Sequence, residues 1–193
     1  MKSKKRIIFA ITGASGSIYA NNLLEKLIAK KDEIEEIALI VSETGEQVWQ
    51  YELERDFPKS DLIKRYDNAS FFAPTASGSA GYDAMVVIPC TAGTLGRIAN
   101  GTSNDLIARS ADVMLKERKT LILTLRESPY NLIHIKNMQK VTLAGGIIFP
   151  ASPSFYSKPQ DINSIIDTVT DRILALLGYA NTGFRWGEDS EKC

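Results

Sequence analysis

RIIFAITGASGS, residues 6–17, runs from a continuous apolar stretch straight into a turn of glycine, alanine and serine. An Ile-rich run of this kind reads as a strand buried on both faces, which places it in a parallel sheet. The small residues after it mark the turn by which such a strand feeds a helix. A helix starting there presents unpaired N–H groups and a positive dipole end to whatever lies beyond the strand. Two readings of Gly13-Ala14-Ser15-Gly16 follow: a seat for an anion or an electron-rich ring edge, or a turn kept small only so that strand and helix pack closely. Its place at the carboxyl end of the strand favours the seat.

The same alternation continues along the chain. Residues 36–41 (EIALIV), 84–89 (AMVVIP), 120–125 (TLILTL) and 146–149 (GIIF) repeat the short apolar run. Between the runs lie stretches of helical period near 17–30, 44–54, 91–100, 104–117, 131–144 and 161–177. Strand and helix in alternation predict an α/β fold, a single-domain doubly wound parallel sheet of Rossmann-like or flavodoxin-like three-layer form, with ligands beyond the carboxyl ends of its strands. At 193 residues and 44% hydrophobic content the chain suits one core. We assign residues 1–180 to the domain and 181–193 to a charged tail that frays past Gly187. Residues 67–83 (DNASFFAPTASGSAGYD) are too long for an idle connection, and 150–160 (PASPSFYSKPQ) form a proline-punctuated loop.

Charge bounds the partners. The 23 basic and 23 acidic side chains cancel, so no net field draws the protein to nucleic acid or an anionic membrane, and an anion has to be met by a local cluster. No apolar segment has the length of a membrane span. The basic start MKSKKR precedes an apolar part too short for a signal peptide. Two cysteines, Cys90 and Cys193, form neither a disulfide framework nor a metal-ligand spacing, which predicts a cytoplasmic protein.

The glycine turn lacks the G-x-G-x-x-G spacing and also the lysine of a G-x-x-x-x-G-K-[ST] loop. TGASGS resembles the turn of short-chain dehydrogenases, yet none of the seven tyrosines has a lysine four positions on, as the Tyr-x-x-x-Lys pair of those enzymes requires. A second candidate seat follows the run 84–89: Cys90-Thr91-Ala92-Gly93-Thr94 sets hydroxyls and free N–H groups at a helix start, as a phosphate cradle or as a plain Thr91 cap. Cys90 reads as an inert buried thiol, and His134, alone of its kind, as structural.

Six blocks together carry a family resemblance: ITGASG at 11–16, SGS at 77–79, PCTAGTL at 89–95, NGTSNDLIARSADVMLKER at 100–118, LRESPYNLIHIKNM at 125–138 and PASPSFY at 150–156. In this order and over nearly the whole length, the chain resembles the UbiX-type flavin prenyltransferases. The resemblance implies that it binds FMN and, with the flavin reduced, joins a dimethylallyl group from dimethylallyl monophosphate to N5 and C6. It further implies that prenylated FMN passes to a UbiD-type decarboxylase and that the enzyme is a homododecamer.

Carried over by position, the resemblance sets FMN against Gly13, Ala14, Ser15, Ser42, Thr91, Ala92, Gly93 and Thr94, with Arg126 nearby. The prenyl phosphate is expected to meet Arg109, Lys116, Arg126, Tyr156 and Arg172, partly from a neighbouring subunit. Phe71 and Trp186 add aromatic walls that shelter an allylic cation, Phe71 standing where some members carry tryptophan. Ser15, Glu52 and Glu127 are the expected catalytic residues, and no metal is implied. Arg109 and Lys116 lie seven apart in one helical stretch, which puts them near one face and predicts a shared anion. Two other functions compete: an FMN-dependent decarboxylase of a cysteine-type substrate, and a flavin carrier without turnover.

Overall fold

The computed structural model describes residues 4–180, 183, 184 and 187. Six parallel strands form one sheet: β1 (Lys5–Ile11), β2 (Ile34–Val41), β3 (Ile63–Asp67), β4 (Ala84–Cys90), β5 (Thr120–Leu125) and β6 (Ile147–Pro150), in the order β3-β2-β1-β4-β5-β6. The order reverses between β1 and β4, so the chain leaves these neighbouring strands toward opposite sides and opens a crevice at their carboxyl ends.

Because side chains alternate across a strand, each apolar run feeds two cores. Ile7, Phe9 and Ile11 face one core, closed by α1 (Ser17–Ile28), α2 (Glu43–Leu53) and α6 (Ile162–Leu176). Ile8 and Ala10 face the other, beneath α3 (Ala92–Ala99), α4 (Leu106–Lys116) and α5 (Leu132–Leu143). These are the three layers that the alternation predicts, with every expected helix within about two residues of its place.

One strand escaped the apolar-run criterion. β3 reads IKRYD and shows only half-buried Ile63 and Tyr66. It is an edge strand, paired on one side only, and its Lys64 and Arg65 belong to the charged surface by which edges resist further pairing. Residues 67–83, expected to be more than an idle link, carry two short 3₁₀ turns, Pro74–Ala76 and Gly78–Ala80. The tail assigned to 181–193 lies mostly outside the described residues. Among the described residues no helix is long and apolar enough to cross a membrane.

Candidate active site

At the end of β1 the chain turns through Gly16, whose φ of 116° favours glycine, and enters α1 with no side-chain cap from Gly16. The anion at this helix start is the protein's own. Glu52, from the last turn of α2, accepts hydrogen bonds from the amides of Gly16 (3.0 Å) and Ser17 (2.8 Å). Burial pushes the Glu52 carboxyl up, but the Ser15 hydroxyl and these two amides outweigh it and hold the group below the ordinary glutamate value. Glu52 thus takes the Gly16 and Ser17 amides, so the turn and α1 start offer a ligand fewer free N–H groups than expected, and Ser15 stands beside an ionised carboxylate.

The end of β4 is built differently. Thr12 stitches it to β1, its Oγ1 donating to the Pro89 carbonyl (2.7 Å) and accepting from the Thr91 amide (3.0 Å). Thr91 caps α3, accepting from the Thr94 amide at 3.0 Å, so the cap reading holds. No acceptor among the described residues takes the amides of Ala92 and Gly93. A Cβ on Gly93 would meet nothing nearer than 3.9 Å, so packing does not demand glycine there and the approach stays open. Cap and seat thus coexist.

β2 completes this edge. Ser42 caps α2 by accepting from the Gly45 amide at 3.0 Å. Gly13 lies so close to Thr44 that a Cβ would stand 2.5 Å from its Oγ1, which draws the first turn against the second. Gly13, Ala14, Ser15, Ser42, Glu52 and Thr91–Thr94 therefore gather along the carboxyl ends of β1, β2 and β4. The open first turn of α3 fits a flavin nucleotide, since backbone N–H groups there meet a phosphate or a ring carbonyl equally well.

Arg126 and Glu127 follow β5 on the same edge, the Arg126 amide donating to the Cys90 carbonyl at 3.1 Å. Glu127 Oε1 accepts from the Ser128 amide at 3.1 Å. Both residues line a cavity of about 370 Å³ between β5 and the loop after β6. Ser152 belongs to this cavity and to a neighbouring one of about 410 Å³ that Arg172, Asp167 and Asp171 line. Tyr156 sits in the same loop, exposed. Arg126 and Arg172 thus line two cavities that share Ser152.

Lys116 does not join them within one chain. α4 runs back toward the amino edge, so Lys116 precedes β5 while Arg126 follows it, about 20 Å away for a six-residue strand. Lys116 pairs with Glu117, and Arg109 pairs with Asp112 (2.6 Å) and donates from Nε to the Ala76 carbonyl (3.1 Å). The shared helix face was legible; strand length sets Lys116 apart from Arg126 within one copy, and the expectation already drew part of the phosphate site from a neighbouring subunit. Phe71 is half exposed in the 67–83 segment, and Trp186 lies outside the described residues.

Cys90 is fully buried, its thiol pushed up to about 12 by burial, which suits an inert group. His134 completes a capping box with Asn131, confirming its structural role. Sequence reasoning missed Thr12, Thr44 and Arg97, whose guanidinium donates to Thr94 Oγ1 at 3.1 Å. A threonine between a buried strand and a glycine turn was a signal for Thr12. The other two depend on contacts between elements.

An open helix start at the switch point of a parallel sheet is the arrangement of Rossmann-like nucleotide-binding proteins. The Flavoprotein family model matches residues 1–174. Flavin prenyltransferase UbiX of Methanocaldococcus jannaschii is 46% identical over 94% of this chain and 98% of its own length. That of Pseudomonas aeruginosa is 38% identical, covering 97% of each. The solved structure of AnUbiX (PadA1) in complex with FMN and dimethylallyl pyrophosphate superposes with a TM-score of 0.87 at 37% identity, over 96% of this chain and 98% of that one. A dodecameric FMN-dependent UbiX-like decarboxylase from Escherichia coli O157:H7 does so with a TM-score of 0.84 at 31% identity, over 93% and 98%. The chain belongs to the UbiX flavin prenyltransferases of the Flavoprotein family.

Proposed function

We propose that this protein is a flavin prenyltransferase, joining the dimethylallyl group of dimethylallyl monophosphate to N5 and C6 of reduced FMN and releasing phosphate. The observation that carries the reading is the ionised Glu52 beside Ser15, next to the open start of α3 and the Arg126–Glu127 pair. Reduced FMN, when bound, supplies the electron-rich ring that the allylic group alkylates.

The residues divide the work. Gly13, Ala14, Ser42 and Thr91–Thr94 hold the flavin nucleotide. The Ser15 hydroxyl, leaning on the Glu52 carboxylate, is free to accept a proton at its oxygen and pass it to Glu52. Glu127 acts as general acid to the departing phosphate and then as base during ring closure, while Arg126, Tyr156 and Arg172 neutralise the phosphate.

Arg109 and Lys116 serve the site of a second copy. Their face, with Ser77–Ser79 beside it and Phe71 in the same segment, forms the outer half of a composite site, a reading supported by the separation of Lys116 from Arg126 and by the assembly of the dodecameric relative. We read the product as the cofactor of a UbiD-type decarboxylase, the enzyme as cytoplasmic, and residues 1–180 as its catalytic domain. The cysteine-type decarboxylase reading has only the fold behind it, since the epidermin protein EpiD is 20% identical with a TM-score of 0.55.

Anaerobic incubation with reduced FMN and dimethylallyl monophosphate, followed by mass spectrometry of the flavin, tests the proposal. A flavin heavier by one prenyl unit is expected. An unmodified flavin, with FMN bound at saturation, would leave the protein a carrier.

A further inference from the structure

Among the described connections between consecutive strands, only that from β3 to β4 lacks an α-helix. Its residues instead descend beside α4 and are clipped to it. Asn68 accepts from the Leu106 amide with its carbonyl (2.8 Å) and from the Ile107 amide with its side chain (3.0 Å). Ala76 accepts from Arg109 Nε. Gly78 backs onto Glu117 so closely that a Cβ would fall 2.1 Å from its Oε1.

The lower end of the segment is tied to the sheet by a buried carboxylate that no proposed chemistry uses. Glu36, on β2, is 5% exposed. It accepts from Tyr82 Oη (2.5 Å), Lys64 Nζ (2.9 Å), Arg6 Nη2 (3.3 Å) and Tyr66 Oη (3.4 Å). Arg6 in turn lies 4.2 Å over the Tyr82 ring and donates from Nη1 to the Ala80 carbonyl. Its backbone exchanges bonds with Asp83, N to Oδ2 at 2.8 Å and back at 2.9 Å. Burial opposes charge on Glu36, yet Tyr82, Lys64 and Arg6 hold it below the ordinary glutamate value, so the knot is ionic at neutral pH.

Glu36 stands six residues before Ser42, about 20 Å from the flavin seat along the strand. Its reach is toward the outer half of the composite site. We propose that Glu36 is a positioning residue for prenyl phosphate: through Arg6 and Tyr82 it fixes residues 74–83 against α4, and so sets the direction in which Arg109 is offered to the partner copy. The proposal rests on the composite-site reading.

An ordinary fold staple would lower stability without selecting one substrate. The test therefore compares Glu36→Gln, Tyr82→Phe, Arg109→Ala and the Glu36→Gln/Arg109→Ala double variant. FMN affinity is followed by fluorescence, and KM for dimethylallyl monophosphate and kcat by turnover. Tyr82→Phe removes one donor and keeps the ring, so it tests the idea even where Glu36→Gln does not fold. In Glu36→Gln and Tyr82→Phe, KM should rise roughly three- to tenfold with FMN affinity and kcat within about twofold. In the Arg109→Ala background the Glu36→Gln effect on KM should vanish, because residues acting through one another are not additive. Unchanged KM in Tyr82→Phe, parallel losses in FMN affinity, or additive effects in the double variant would overturn the proposal. If Arg109→Ala alone leaves KM unchanged, the composite-site reading itself falls, which is a separate result.

Discussion

The starts of α1 and α3 stand side by side at the carboxyl ends of β1 and β4, and they are finished in opposite ways. α1 has no side-chain cap from Gly16 and takes Glu52 across two of its amides, whereas α3 is capped locally by Thr91 and leaves the amides of Ala92 and Gly93 open. Both positive helix ends attract an anion, and at α1 one is built in while the first amides of α3 meet no acceptor among the described residues. The difference teaches that a glycine turn after a strand marks a charge-bearing edge without saying whose charge it bears. Here the turn that most looks like a ligand seat is the one that orders an ionised carboxylate.

Exchanging Glu52 for glutamine breaks the contrast most sharply. Glu52→Gln keeps an acceptor at α1 and removes the base behind Ser15, so turnover at saturating substrates should fall by roughly 10²- to 10⁴-fold. FMN affinity should change little. A matching loss of FMN affinity, read by fluorescence titration, would mean that Glu52 organises binding rather than proton transfer.

At α3 the expected loss is in binding instead. Gly93→Leu places a side chain in open approach space, so FMN affinity should drop by roughly tenfold or more, about 1.4 kcal/mol, with thermal stability unchanged. Full FMN affinity in this variant would move the seat elsewhere. Thr91→Ala removes the cap and should cost about 1 kcal/mol, a fall in Tm of about 2–4 °C by calorimetry. An unaltered Tm would show that Thr91 acts only on the ligand.

The smallest effect is one of pH. Because the folded Glu52 titrates below the ordinary glutamate value, it favours the folded state above that ordinary value, and the contribution disappears as pH falls through the lower, folded one. The stability gap between the wild type and Glu52→Gln, followed by urea unfolding, should therefore close in acid. A gap that widens on acidification would reverse the sign assigned to the group.

The parallel sheet was legible because its buried strands are continuous apolar runs, and β3 was not because an edge strand carries Lys64 and Arg65 among its residues. Ser15 and Thr91 were visible as small polar residues after such runs. Glu52 was named by resemblance, but its bond to Gly16 spans 36 positions and has no local signature.

By itself the sequence determined the alternating α/β plan, the active edge and the residue types gathered there, since periodicity and turn chemistry are local properties of the chain. Tertiary structure alone decided that Glu52 holds two amides at the start of α1, and that Glu36 knots β1, β2, β3 and the descending segment together. It also decided that Lys116 and Arg126 lie at opposite ends of β5. Helical spacing reports which residues share a face. Which faces meet is set by strand order and strand length, and these are fixed only when the whole sheet buries its two cores at once.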